Sequence, residues 1–137
     1  SVCAVSNKTH YNEMNVLSMH ALIGAYQPQG YEWVDELNQV LAGNIEYFCT
    51  YAEKHWKGVA FSRPQGTYMV FLDCTEWCRE HGRDIQWLLD EGARVGVGYQ
   101  DGRPFHGPCH IRVNLALPLS RVREACDRLD RYVFNAR

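Results

Sequence analysis

Arg112 is the residue whose type and position point most directly to chemistry. It lies within residues 110–118, HIRVNLALP, where apolar residues alternate with more polar ones. This is the period-two pattern of a strand with one buried face. A guanidinium is permanently charged and is rarely buried without a partner. Arg112 therefore either faces solvent, paired with a nearby carboxylate, or binds an anion such as a carboxylate or a phosphate through its planar, bidentate fork.

Two other segments could border such an anion site. In residues 63–73, RPQGTYMVFLD, Gly66 would allow a tight turn or the close approach of a ligand just before a strand. Tyr68 follows and could line either the core or a pocket, although a simple hairpin-like turn also explains this segment. Residues 98–110, GYQDGRPFHGPCH, form a shaped loop in which His106 and His110 could belong to a lid or could be exposed and inert.

The segment CTEWCREH resembles half of a metal site, with Cys74, Cys78 and His81 as its candidate ligands. No second Cys/His pair follows at zinc spacing, because Cys109–His110 is a bare dipeptide. The chain has six cysteines, but it is too rich in core residues to need a disulfide framework. Reduced, partly buried thiols in a cytosolic protein are therefore favoured over a structural zinc. A small Cys/His metal module stays open as an alternative.

Composition limits the function classes further. The 137 residues suit one domain, and 46% hydrophobic residues can form a core. A net charge of −2 gives no electrostatic footprint for nucleic acid or an anionic membrane. No apolar run approaches the ~18 residues that span a bilayer, and no signal peptide is recognisable. We expect a cytoplasmic protein without nucleic-acid or membrane partners. The glycine-rich phosphate loops, the nucleophile elbow and the HExxH motif are absent from the sequence.

The pattern predicts an α+β fold, with a small, mostly antiparallel sheet, helices packed on one face and a long connecting helix before them. The predicted helices cover 15–26, Tyr31 to about His55, 84–92 and the C-terminal segment after Pro118. The predicted strands cover 58–62, 67–74, 94–100 and 109–117. Gly92 is expected to end the third helix, and Ser120, with Glu124 near the capping-box position, is expected to cap the last.

Taken together, the segments resemble a known family. Part of the chain is similar to the C-terminal part of the fold-type I enzymes that depend on pyridoxal 5'-phosphate (PLP). This part consists of PQGTYMVFLD, then a helix, then GARVGVGYQDGRPFHGPCHIRVNLALPLSRVREACDRL. Within that group they most resemble the class I/II aminotransferases and the cystathionine β-lyase (C–S lyase) branch. The upstream LSMHALIGAYQPQGYEWVDELNQVLAGNIEYF is similar to the turn and long helix of the same branch, so the resemblance covers roughly residues 12–135.

The resemblance implies roles for particular residues. Arg112 matches the family arginine that binds the α-carboxylate of the substrate. Gly66 and Tyr68 match the border of the active-site mouth, and Asn114 matches a supporting position on the same strand face as Arg112. No catalytic residue and no metal ligand is implied within this chain.

The resemblance also places the cofactor site elsewhere. In this family the lysine, the aspartate and the phosphate cup that hold PLP lie upstream, and Lys8 comes too soon before GAYQPQG to be that lysine. Residues 1–30 then correspond to the tail of a missing large domain, and residues 31–137 to the small domain. The implied parent is a PLP-dependent aminotransferase or C–S lyase that acts on amino acids as a homodimer. This fragment alone is expected neither to bind PLP nor to be active. A stand-alone, non-catalytic ligand-binding α+β domain is the alternative.

Overall fold

The computed structural model describes residues 15–136. The chain divides into two compact units, Ser1–Asn38 and Gln39–Arg137. The division falls inside a long helix, α2 (Pro28–His55), so that each unit contains part of it. Within residues 15–136, no helix combines the length and the apolar character that crossing a bilayer requires.

The first unit contains α1 (Val16–Ala25) and the beginning of α2. α2 begins at Pro28 rather than at the predicted Tyr31, because the fixed φ of proline suits the first turn of a helix. Gly30 consequently lies inside α2. A Cβ at this position would come within 1.9 Å of the carbonyl oxygen of Ala25, so the tight junction between the two helices requires glycine.

α1 has an unusual surface for a helix. Its sequence, VLSMHALIGA, contains no charged residue, and none of its residues is buried. Its exposed apolar side chains belong to Val16, Leu17, Met19, Leu22 and Ile23. A helix that is apolar on all sides is normally enclosed by other parts of a protein.

The second unit is built on a three-stranded antiparallel sheet of order β1–β3–β2. Its strands are β1 (Met69–Asp73), β2 (Gln100–Asp101) and β3 (His110–Asn114). The predicted α+β class is confirmed, but two predicted strands are largely wrong. Residues 58–62 contribute only the single bridge between Ala60 and Asp73, and residues 94–100 contribute only their last residue. Gly58 (φ 78°) and Gly96 (φ 76°) interrupt the extended backbone there.

Three helices accompany the sheet: α3 (Thr75–His81), α4 (Ile85–Arg94) and α5 (Leu119–Leu129). α3 is absent from the sequence prediction, because its 7 residues are too few to show a helical period. The prediction that Gly92 ends α4 is wrong. Gly92 is buried inside α4, where a Cβ would lie 2.4 Å from Cζ of Tyr99.

The predicted cap of the last helix is also wrong. α5 begins at Leu119, with Pro118 at the cap position and no side-chain capping bond, so Ser120 already lies inside the helix. Glu124 is engaged elsewhere, because its carboxylate accepts hydrogen bonds from Arg121 (2.9 Å) and Arg128 (2.6 Å).

The core lies on one face of the sheet, where α2, α3, α4 and α5 contribute apolar residues. β1 and β3 contribute alternate residues to it: Val70, Leu72, Ile111 and Val113. One buried polar residue, Asn44 of α2, connects the long helix to the sheet. Its Nδ2 donates hydrogen bonds to the carbonyl oxygens of Leu115 (2.8 Å) and Leu117 (2.7 Å), directly after β3. These bonds satisfy the buried amide and fix α2 to the end of β3.

An aromatic cluster closes the core beyond α5, where a π-helical turn spans Asp130–Phe134. This turn places the Phe134 ring against Trp56, with centroids 4.5 Å apart, and edge-on to Trp77 at 5.5 Å. The indole Nε1 of Trp77 also donates a hydrogen bond of 3.1 Å to the carbonyl oxygen of Phe134.

Candidate functional site

The candidate site lies on the face of the sheet opposite the core, which we call the outer face. It consists of alternate residues of the two paired strands: Met69, Phe71, Asp73, His110, Arg112 and Asn114. Arg112 is central, because it lies opposite Phe71 of β1 and opposite Gln100 of β2. The sequence prediction of Arg112 in mid-strand is thus confirmed, and its side chain is on a rigid element with a neighbour on either side.

Arg112 differs from the other arginines of residues 15–136, because it is half-buried whereas all the others are exposed. Within this described part of the chain, no carboxylate lies within 4.0 Å of its guanidinium. No side chain or backbone group of these residues accepts a hydrogen bond from it either. Arg112 therefore lies on the solvent side of the sheet, without the carboxylate partner that the first interpretation allowed. A partly desolvated guanidinium without an acceptor gains more from an incoming anion than one in bulk water.

An aromatic ring covers one side of the Arg112 guanidinium. Cζ of Arg112 lies 3.9 Å from the centroid of the Phe105 ring, which is a cation–π contact. Phe105 ends a single 3₁₀ turn, Arg103–Phe105, and its N–H donates to the carbonyl oxygen of Gly102 at 2.9 Å. The ring hides one flat side of the guanidinium from water and leaves the N–H groups at its edge free to donate.

The loop that carries Phe105 is held against the outer face by close backbone approaches. Gly102 donates its N–H to the carbonyl oxygen of His110 at 2.8 Å. A Cβ on Gly107 would lie 2.5 Å from Cζ of Phe71, so this position requires glycine. The guanidinium of Arg103 is bound to Asp101 (2.7 Å), which fixes the start of the turn. The sequence indicated a shaped loop here, and the structure adds that its aromatic residue lies over Arg112.

Asn114 lies two residues after Arg112 on the outer face, at the end of β3. Its Oδ1 accepts a hydrogen bond from the N–H of Ala116 at 2.8 Å, which closes the turn that leaves the strand. Its register partner is Met69, and the next pair along is joined by a bond of 2.9 Å from the N–H of Leu115 to the carbonyl oxygen of Tyr68. Asn114 and Tyr68 therefore lie at the same end of the β1–β3 pair, and Arg112 lies in the middle of it.

Gly66 lies just before this pair, and it is not the residue with unusual backbone geometry. Its φ is not positive, and a Cβ there would meet nothing within 4 Å. The adjacent Thr67 takes the left-handed conformation instead, with a φ of 78°. A left-handed threonine is strained by about 1–2 kcal/mol. The pattern TYMVFLD gave no signal of this, because threonine is common in extended strands.

His110 and Asp73 form a second polar pair on the outer face. Nε2 of His110 lies 3.8 Å from Oδ2 of Asp73, and the His110 ring packs against Phe71 with centroids 4.6 Å apart. Burial raises the pKa of Asp73, but hydrogen bonds from Thr75 and the nearby His110 outweigh it, so that the pKa is lowered overall. His106 is exposed at the end of the 3₁₀ turn, with a φ of 62°.

The described residues contain no group of three His, Cys, Asp or Glu side chains placed to hold a metal ion. Cys74 and Cys78 lie in the core, and Nδ1 of His81 lies 2.8 Å from the carbonyl oxygen of Trp77. Within residues 15–136, the outer face also contains no lysine. Lys54 and Lys57 are exposed on or just after α2, and Lys8 lies outside the described residues. These residues therefore do not fit a covalently bound PLP.

A cavity of about 330 Å³ opens on the other side of β3, between residues 96–98 and α5. Its lining includes Asn114 and Leu115 of the chain around the end of β3, and Arg121 and Arg128 of α5. Arg112 does not line it. Glu124 pairs with both arginines, so its carboxylate offsets one of the two positive charges in the cavity wall.

Comparison with known proteins finds curated relatives that share one name. No family model matches the chain. A Mycobacterium leprae protein named "Putative cystathionine beta-lyase" is 33% identical over 124 residues, which cover 79% of this chain and 30% of that protein. A Mycobacterium tuberculosis protein of the same name is 29% identical over 128 residues, with the same coverage. The chain thus spans about 30% of the length of these relatives.

Solved structures show the same fold. The PLP-bound C–S lyase of Staphylococcus hominis is similar with a TM-score of 0.79 and 24% identity, over 93% of this chain and 33% of the enzyme. Cystalysin of Treponema denticola, which contains PLP, gives a TM-score of 0.72 and 23% identity, over 85% of this chain and 29% of that protein. A mutant aspartate aminotransferase of Thermus thermophilus gives a TM-score of 0.78 and 18% identity, over 95% of this chain and 34% of that protein.

Proposed function

We propose that this chain is the C-terminal part of a fold-type I PLP-dependent enzyme of the aminotransferase and C–S lyase branch, and that it anchors the amino-acid substrate of that enzyme through Arg112. The observation that carries the proposal is the half-buried guanidinium, which has no acceptor within residues 15–136. The α-carboxylate of an amino acid is a planar anion of matching geometry.

The surroundings of Arg112 favour one direction of approach. β3 fixes the backbone, and Phe105 covers a flat side of the guanidinium at 3.9 Å. A carboxylate in the plane of the guanidinium can then accept two parallel N–H bonds. Because the ring excludes water from one side, these bonds form in a medium of lower polarity than bulk water and are correspondingly stronger.

Asn114, Tyr68 and Gly66 have supporting parts in this proposal. The Asn114 side chain holds the turn after β3 and so keeps the strand that carries Arg112 in place. Tyr68 and Gly66 lie at the same end of the β1–β3 pair and border the entrance. None of these residues is proposed to move a proton or to form a covalent bond with substrate.

The remaining parts of the active site belong to the proposed parent rather than to the described residues. PLP in such a parent would serve as the electron sink of the reaction, and this chain would supply orientation of the substrate. The uncharged α1, none of whose residues is buried, supports packing on a PLP-binding large domain. Homodimer formation remains a prediction from the family resemblance, and a cytoplasmic location remains one from composition. The resemblance implies either transamination or C–S β-elimination.

Substitution of Arg112 in the protein expressed with its native upstream sequence tests the anchoring role. Arg112→Ala removes both charge-assisted bonds, and we expect kcat/KM for amino acids to fall by about 10²–10³-fold, equivalent to about 3–4 kcal/mol. Arg112→Lys keeps the charge but loses the bidentate fork, so its loss should be smaller. Arg79→Ala is the control, since Arg79 is exposed and pairs with Glu76 of its own helix.

Two results would contradict the proposal. A KM for amino acids that does not change in Arg112→Ala would exclude the carboxylate-binding role. Tight binding of a free amino acid to the 137-residue chain alone, measured by calorimetry, would favour the stand-alone ligand-binding domain instead.

A further inference from the structure

The cavity between residues 96–98 and α5 has an apolar floor. Its volume is about 330 Å³, and the floor residues, each at most 8% exposed, come from α2, from β3 and its end, and from α5: Phe48, Val113, Leu115, Val122 and Leu129. Small-molecule sites span about 300–1,000 Å³, so this volume lies at the lower end of their range. The cavity therefore suits the apolar body of a small ligand.

Two glycines shape the wall that faces α5. A Cβ on Gly98 would meet nothing within 4 Å, so this part of the wall stays open. Gly96 has a φ of 76°, and a Cβ there would lie 2.9 Å from Nη1 of Arg128. The glycine lets Arg128 approach, and its Nη1 donates a hydrogen bond of 3.0 Å to the carbonyl oxygen of Val95. This bond connects α5 to the opposite wall and fixes the width of the cavity.

The rim of the cavity carries one uncompensated positive charge. Arg121, Glu124 and Arg128 lie along it on α5, and Glu124 pairs with both arginines. Arg128 is engaged twice, with Glu124 and with the backbone of Val95. Within residues 15–136, Arg121 donates one hydrogen bond, from Nη1 to Glu124 at 2.9 Å. The other N–H groups of Arg121 can therefore bind the anionic end of a ligand.

We propose that this cavity binds a small carboxylate with an apolar body, such as a short arylalkanoate, with the body on the floor and the carboxylate at Arg121. The five floor side chains offer no hydrogen bond, so a polar body would lose its hydration without compensation. The charge of the rim favours an anionic end over a neutral or cationic one. Arg112 does not line the cavity, and its proposed anchoring role is not needed here.

Titration of the isotopically labelled 137-residue chain with sodium phenylbutyrate tests the site, with backbone amide chemical shifts as the readout. We expect saturable shifts at Gly96, Gly98 and Ala125, which line the cavity, and none at Arg112 on the outer face. A ligand of this size should bind with a Kd of about 0.1–1 mM.

Phenylbutanol, which has the same body without the carboxylate, measures the contribution of the charge. It should bind about two- to fivefold more weakly than phenylbutyrate, because an ion pair at an exposed rim contributes little. Arg121→Gln should weaken the binding of phenylbutyrate by the same factor and leave that of phenylbutanol unchanged. Arg123→Gln is the matched control and should change neither, since Arg123 lies on the same helix, packs on Tyr47 and does not line the cavity.

Three results would overturn the proposal. The first is the absence of saturable shifts at about 10 mM phenylbutyrate, or shifts centred on Arg112 instead. The second is equal affinity for phenylbutyrate and phenylbutanol, which would exclude a preference for anions. The third concerns the protein expressed with its native upstream sequence and carrying Arg112→Ala, which removes the proposed anchor. Calorimetry should give the same Kd there, and loss of binding would show that another part of that protein covers the cavity.

Discussion

Asn44 provides the sharpest test of how the fold supports the Arg112 strand. It is 1% exposed, and its amide donates to two carbonyl groups directly after β3. Asn44→Ala removes both bonds and leaves the acceptors behind. Loss of the bond to Leu115 leaves a buried carbonyl without a donor, which costs about 1–3 kcal/mol. The bond to Leu117 is only partly buried, so water replaces it and its loss costs about 0.5–1 kcal/mol.

Alanine gives back part of this loss, because it is a better helix former than asparagine by about 0.5 kcal/mol. The net decrease in the free energy of unfolding is therefore about 1–3.5 kcal/mol. Urea denaturation followed by circular dichroism measures it, with the m-value as a check on the compactness of the unfolded state. Asn38→Ala is the matched control, since Asn38 is exposed on the same helix and experiences only the propensity change.

Asn44→Asp separates hydrogen bonding from packing, because aspartate has nearly the same shape. At neutral pH its carboxylate donates nothing and faces two carbonyl oxygens, so the folded state raises its pKa and stability decreases as the pH rises. The reasoning is refuted if Asn44→Ala lies within about 0.5 kcal/mol of Asn38→Ala at the same m-value. In that case α2 would be held to the sheet by apolar contacts alone.

Two further substitutions test the neighbourhood of the site and the corrected end of α4. Phe105→Ala in the protein expressed with its upstream sequence should raise the KM for amino acids about two- to thirtyfold, because it removes a cation–π contribution of about 0.5–2 kcal/mol. Phe105→Tyr keeps an aromatic ring over the guanidinium and should leave the KM unchanged. An unchanged KM in Phe105→Ala would show that the ring does not position Arg112. Gly92→Ala should lower the free energy of unfolding by about 1–3 kcal/mol, because its Cβ would overlap Tyr99. Gly98→Ala, with nothing within 4 Å of its Cβ, should be close to neutral, and equal effects of the two changes would disprove a packing role for Gly92.

Alternation and composition were enough to predict the strand around Arg112 and the long helix. Both are long or regular enough to show their period, although Trp33, Val34 and Val40 of the long helix are exposed. The outer face followed directly, since His110, Arg112 and Asn114 occupy alternate positions of β3. The carboxylate-binding role came from the family resemblance and remains a prediction.

Other features depend on contacts that a single sequence does not display. Asn44 is one of several polar residues on α2, and only the position of β3 makes it the buried one. Phe105 reaches Arg112 because the glycines at 102 and 107 allow its loop to approach the sheet. Ser120 suits a helix cap by type, but Pro118 begins the last helix earlier. For Asn44 and Phe105 a segment elsewhere in the chain decides the structure, whereas for Ser120 a neighbouring proline does.

The π-helical turn at Asp130–Phe134 has a consequence for sequence alignment and for evolution. A π turn contains one residue more than the α-helical turn that it replaces. Deletion of a single residue here would restore a regular helix but would rotate each following residue by about 100°. Phe134 would then leave its position against Trp56 and Trp77. We therefore expect a one-residue gap within 130–134, in any homologue, to coincide with substitution of these aromatic residues.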